Sequence, residues 1–116
     1  MQKHSSTKTA SLLTPGANKV SCVVTDVTDS KSVDALFDTI AKDFDRLDLL
    51  FNNAGIGIGA PIEDLPTDDW SRVIATNVNG AFYCLQGAFR MMKQQQPMGG
   101  RIINNGSISA DRPRPN

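Results

Sequence analysis

Three polar clusters in this chain could meet a ligand: Asp26, the run Asn52-Asn53-Ala54-Gly55, and Ser107 after Gly106. A carboxylate, carboxamides and a hydroxyl supply donors and acceptors, and small neighbours let a ligand approach the backbone. Each cluster closes a short apolar run. A fourth polar residue, Asn77, lies on an apolar helical stripe, between Ile74 and Ala81. A buried carboxamide there must be hydrogen-bonded. Two readings stay open for it: an ordinary helix–helix or helix–strand bond, or a bound water or break in the helix ladder beside a site.

Other chemistries find no residues. The sole histidine, His4, lies in a polar leader, so neither a metal-ligand cluster nor a Ser-His-Asp triad is expected. Cys22 and Cys84 sit inside apolar patterns and read as small core residues of a reducing compartment. The segment Gly55–Ala60 has the form G-x-G-x-x-A. A pyrophosphate fingerprint must open a helix directly, yet Pro61, Glu63 and Asp64 follow. A flexible loop above the site is expected instead.

The elements that must position these residues alternate in type. Residues 1–19 form a polar leader with at most a helical stub at Ser11–Thr14, closed by Pro15-Gly16. Val20–Thr25 reads as a strand buried on both faces. Asp29 or Thr28 caps a helix whose stripe is Val33, Leu36, Phe37, Ile40 and Phe44. Leu47–Phe51 reads as a second strand. A Gly- and Pro-bearing loop leads to Thr67, a helix cap followed by Asp68 and Asp69. Helical spacing then runs through Trp70, Val73, Ile74, Val78, Ala81, Phe82, Leu85, Phe89 and Met92, until Pro97 and Gly99-Gly100 stop it. Arg101–Asn105 reads as a third strand, and residues 111–116 as a loop.

The β-α-β-α-β order implies parallel strands with helical crossovers, a partial Rossmann-like doubly wound α/β sheet over residues 20–110. Parallel strands share one carboxyl edge, where open α/β sheets bind ligands. All three polar clusters fall on that edge. Composition agrees with a globular domain: 40% of the 116 residues are apolar and 12 basic residues balance 12 acidic ones. No basic cluster suits nucleic acid, and no apolar run suits a membrane span.

With the residues in place, the chain resembles the short-chain dehydrogenase/reductase family. The motifs are Asp26-Val27, Asn52-Asn53-Ala54-Gly55 directly after a strand, the helical segment Thr76–Phe82, and Arg101–Ser107. The likeness runs from about Val20 to Asn116. It implies NAD- or NADP-dependent hydride transfer between an alcohol and a carbonyl on a small molecule. It places Asp26 and Val27 against adenine. Asn53, Ala54 and Gly55 line the cofactor, with Asn53 also steadying the sheet. Ser107 hydrogen-bonds the substrate oxygen, and Asn77 holds a water in a proton relay. It also implies a cytoplasmic protein and homo-oligomers through the helix from Asp68.

The sequence departs from the family in two places. The glycine turn T-G-x-x-x-G-x-G and the Y-x-x-x-K pair do not occur in it; the sole tyrosine, Tyr83, has Gly87 four residues on. The expectation is therefore a central fragment of an oxidoreductase, inactive alone. In the family's sheet, the Val20–Thr25 strand is separated from the next by two strands. This chain either closes that gap by direct pairing or leaves open edges. The alternatives are a non-catalytic binding or dimerisation partner, and a minimal nucleotide-binding module using Asp26 and the Asn53–Gly55 loop.

Overall fold

The computed structural model describes residues 19–112; the expected stub at 11–14 and the last residues of the terminal loop lie outside them. Helix α1, Ser30–Phe44, starts at a true cap: the Asp29 carboxylate accepts the Lys31 N–H at 3.0 Å. It ends at Asp45, whose left-handed φ of 69° turns the chain while its N–H returns to the Ala41 carbonyl. Strand β1, Leu49–Asn52, follows. A loop carries a 3-10 turn at Ile62–Asp64 and leads to helix α2, Thr67–Ile74. A π-helical turn, Ala75–Gly80, joins α2 to helix α3, Ala81–Gln94. Strand β2, Arg101–Asn104, and a 3-10 turn at Ile108–Ala110 complete the described order.

Strands β1 and β2 pair in parallel, with Leu49, Leu50, Phe51 and Asn52 opposite Arg101, Ile102, Ile103 and Asn104. A parallel pair joined by a helical crossover is the repeating unit of an α/β sheet. Strand alternation sends Leu50 and Ile102 toward the helices and leaves Leu49, Phe51 and Ile103 exposed on the other face. The core lies between α1, α3 and the inner face. Val33, Phe37, Cys84, Ala88 and Met92 are buried there, with Ile40, Leu47, Leu50 and Tyr83 packed around them. Burial pushes the Cys84 thiol up from its ordinary range.

Five expectations need correction. Val20–Thr25 joins no ladder: among the described residues the sheet has two strands, not three. Its β-branched residues favour extended backbone, but a strand forms only where a neighbour's peptide groups meet it. Val20, Val23 and Val24 are exposed as a result, and so is Cys22, which is not a core residue. Thr67 is the first helical residue and not the cap; Pro66 holds that position with no side-chain bond. The apolar spacing of the long helix is present, but only one side of it is covered. Trp70, Val78, Phe82 and Phe89 are all exposed, because the core covers the side of α3 that carries Cys84, Gly87, Ala88 and Met92. Lastly, Asn77 is exposed and not buried in the stripe.

The helices approach closely because α3 carries a glycine where they cross. A Cβ built on Gly87 would run into the Phe37 ring. Phe37 therefore lies directly on the α3 backbone, which any side chain at position 87 would prevent. Overpacking of this kind costs about 1–3 kcal/mol or more. Gly87→Val is expected to destabilise the chain by at least that amount. Urea unfolding followed by circular dichroism checks it; an unchanged midpoint would show that the crossing tolerates a side chain.

Candidate functional site

The site is built where β1 and β2 end. Parallel pairing carries Asn52–Gly55 and Asn104–Ser107 out of the sheet at one edge. Asparagines extend the pairing past the last ladder residues. The Asn105 N–H donates to the Asn52 carbonyl at 3.0 Å, and Asn105 Nδ2 donates to Asn53 Oδ1 at 2.7 Å. Asn52 points inward and is the one buried polar side chain among the described residues. Its Nδ2 donates to the Ala81 carbonyl at 3.1 Å and to Asn104 Oδ1 at 3.3 Å. The family resemblance implies sheet support from Asn53, its neighbour; Asn52 ties the sheet to the helix as well. The signal was the alternation: Asn52 shares the parity of Leu50, the core-facing residue of β1.

Asn77 lies within the π turn and faces the loop after β1. Its Oδ1 accepts the Ile56 N–H at 2.8 Å, and its Nδ2 donates to the Ile56 carbonyl at 2.8 Å. The helical ladder changes step at the π turn that carries Asn77, and the side chain bonds to a loop, not to a helix or strand. Gly55 sits beside it; a Cβ there would lie 3.5 Å from Asn77 Oδ1. The Gly55–Ala60 segment opens no α-helix and is followed by the short 3-10 turn at Ile62–Asp64.

Asp26 and Val27 reach the same region without a strand to carry them. Asp26 Oδ1 accepts both the Thr28 N–H at 2.9 Å and the Thr28 hydroxyl at 2.7 Å. These bonds, the hydroxyl's first, hold the carboxyl below its ordinary value of 3.8. The Asp26 N–H donates to Ser32 Oγ at 2.9 Å, tying the turn to the start of α1. Val27 packs on the end of the π turn. A Cβ on Gly80 would come within 2.8 Å of Val27 Cγ2, so only glycine permits this approach. Val27 thus joins the edge through Gly80.

Ser107 is exposed and caps the 3-10 turn at Ile108–Ala110, its Oγ accepting the Ser109 N–H at 3.1 Å. Tyr83 packs against the core cluster. Contacts thus join Asn53 to Asn105, Gly55 and Ile56 to Asn77, and Val27 to Gly80. Ala54 is exposed in the same loop, and Ser107 leaves β2 at the same edge. No group of three or more His, Cys, Asp or Glu side chains that could hold a metal ion occurs among the described residues. No helix among them is long and apolar enough to cross a membrane.

The profile of the family described as short chain dehydrogenase matches residues 2–116. A Mycobacterium tuberculosis protein named (5R,7aS)-5-hydroxy-7a-methyl-1-oxo-2,3,5,6,7,7a-hexahydro-1H-indene-carboxyl-CoA reductase is 39% identical over 99 residues, 85% of this chain and 37% of that protein. A 3beta-hydroxysteroid dehydrogenase of Mediterraneibacter gnavus is 40% identical over 88 residues, 75% of this chain and 31% of its own. Among solved structures, an NAD+-bound xylitol dehydrogenase superposes with a TM-score of 0.74 at 42% identity, covering 80% of this chain and 35% of that one. A Serratia marcescens short-chain dehydrogenase/reductase variant reaches a TM-score of 0.82 at 34% identity, covering 92% and 42%. The chain therefore spans well under half the length of these relatives. Motifs, parallel edge and matched profile agree: this chain belongs to the short-chain dehydrogenase family.

Proposed function

We propose that the carboxyl edge of this sheet is the cofactor-facing part of an oxidoreductase site that moves hydride between an alcohol and a carbonyl with NAD or NADP. The observation that carries this reading is the convergence at that edge. Asn53 and Asn105 are bonded across the strand ends, and Asn77 holds the next loop residues in place. Relatives support it: one matched structure holds NAD+, and another, ElxO, holds NADP at 35% identity.

The residues present fit the uncharged parts of such a cofactor. The loop Asn53–Gly55 is exposed and carries only short side chains, so a flat ring system can reach its backbone. Asp26 and Val27 offer a polar and an apolar contact for adenine. The nicotinamide ring, when bound, supplies the hydride acceptor or donor. Ser107 Oγ already accepts the Ser109 N–H, so its own proton is the one to donate to a substrate oxygen as charge develops there. Oδ1 and Nδ2 of Asn77 each make one bond to Ile56, which leaves one Nδ2 proton and one Oδ1 lone pair for a water. Asn77 would hold the water of a proton relay with that remaining capacity, at the π turn where the hydrogen-bond ladder changes step. The chain as given has no tyrosine followed four residues on by a lysine to act as general acid and base, so it is expected not to turn over substrate alone.

Titrating the 15N-labelled chain with NAD and NADP tests the reading. Amide shifts are expected at Asp26, Val27, Asn53, Ala54 and Gly55, weakened by Asp26→Ala. Shifts confined to other residues would reject it. Steady oxidation of an alcohol by the chain alone would reject the inactivity.

A second expectation concerns Asp26 itself. Thr28 donates two bonds to the carboxylate, which lower its midpoint in the folded chain from the ordinary 3.8. Stability from this turn is then present above the unfolded value and lost as pH falls through the lower folded one. Thr28→Val keeps the backbone bond and removes the stronger one. It should raise the Asp26 midpoint toward 3.8, read from its carboxyl carbon by NMR; an unmoved midpoint would show that the hydroxyl bond is not formed in solution.

One observation favours the alternative, a binding or dimerisation partner. Val78, Phe82 and Phe89 are exposed at helical spacing along the π turn and α3, with Trp70 on α2 before them. Self-association through that helix is expected, and Phe82→Asp with Phe89→Asp should abolish it. Sedimentation velocity decides: a wild-type chain that stays monomeric across its soluble range removes this reading.

A further inference from the structure

We infer that Asn105 is a positioning residue for the proposed cofactor edge, acting through Asn53. The inference rests on the reading above and concerns how that edge is held ready. Asn105 lies one residue beyond β2 and makes two bonds to two successive residues at the end of β1. Its N–H takes the Asn52 carbonyl at 3.0 Å, continuing the ladder, and its side chain donates to Asn53 Oδ1 at 2.7 Å.

Asn53 needs such a partner. It is exposed, and among the described residues the bond from Asn105 is the one hydrogen bond its carboxamide makes. A carboxamide on an exposed loop rotates about two torsions and loses that freedom only when something holds it. Asn105 fixes the oxygen end, which leaves the Asn53 Nδ2 protons directed away from the pair as donors for a ligand. The bond between the two side chains lies at the surface, where the fold depends on it little. Preorganisation of this kind shows in affinity more than in stability, because the ordering is complete before the ligand arrives.

The test uses the full 116-residue chain, with NAD and NADP as probes and Asn105→Leu as the variant. Leu keeps the branching of the side chain at Cγ and removes its donors. Thermal unfolding is expected to stay close to wild type. The 15N relaxation of the Asn53 side-chain amide should change from ordered to mobile, with no ligand present. Affinity for the dinucleotide should fall by about fivefold, the weight of one ordinary hydrogen bond. In an Asn53→Ala background the same substitution should cost nothing further, since the residue acts through Asn53. An Asn53 side-chain amide equally ordered without Asn105 overturns the inference, as does a loss that simply adds in the double variant. A wild-type chain that binds neither dinucleotide overturns the functional reading, and the inference falls with it; binding at wild-type strength by Asn105→Leu overturns the inference alone.

Discussion

Everything at the site depends on how strand β1 is tied to the long helical segment beside it. The ties are carboxamides. At the entry to β1, Gln95 Oε1 accepts the Leu47 N–H at 2.8 Å and Gln95 Nε2 donates to the Leu47 carbonyl at 2.9 Å. At the exit, Asn77 does the same to Ile56, with both bonds at 2.8 Å. Between them, Asn52 reaches from the strand to the Ala81 carbonyl. A carboxamide carries one donor group and one acceptor, as a peptide does, so it can close onto a single residue as a neighbouring strand would. Each such bond contributes only about 0.5–1.5 kcal/mol net. Their effect is chiefly geometric. They hold a four-residue strand at both ends against one helical rod, and so set where Asn53, Ala54 and Gly55 emerge.

Close packing sets the rest of the placement. Two glycines on that rod allow two approaches: Phe37 onto Gly87 and Val27 onto Gly80. The first seats α1 on α3. The second brings Asp26-Val27 to the π turn, although the residues before them form no strand. The core that results is one layer of helix on one face of a two-stranded sheet. The opposite face leaves Leu49, Phe51 and Ile103 uncovered among the described residues, and an arrangement with so little sheet is marginal by itself. That is why the directional bonds at the strand ends matter here more than they would in a larger sheet.

What the sequence made legible follows from the range of the forces involved. The helices were readable because their signals are local: the Asp29 cap, and the spacing of Val33 and Phe37. The strands Leu49–Asn52 and Arg101–Asn104 were readable to within two residues, as was their parallel sense from the order of elements. Val20–Thr25 was not, because a strand is defined by its neighbour and composition cannot supply one. The exposure of Phe82 and Phe89 was hidden for the same reason: periodicity shows an apolar stripe without showing what covers it. At the site, the family motifs marked Asn53 and Asn77. They did not show that Asn52 is the buried member of its pair, nor that Asn105 would face Asn53. Both facts depend on register, which a single residue's shift would reverse.

The charge pattern of the edge adds a last constraint. Its groups are carboxamides, a hydroxyl and exposed peptides, and the carboxylate among them is Asp26. An aspartate is an anion at neutral pH, and the two Thr28 bonds favour its charged form further. Exposed charges of like sign repel within a screening length of roughly 8–10 Å. A dinucleotide on this edge would therefore lower its energy by turning its uncharged base toward Asp26 and its phosphates away. The neighbouring groups agree with that orientation: Val27 gives an apolar surface for a ring, and the Asn53–Gly55 loop gives neutral donors and acceptors further along. A chain with a lysine or arginine at position 26 would favour the reverse. The charge on Asp26 is thus compatible with the orientation that the family resemblance implies, with the base at Asp26 and the phosphates further along.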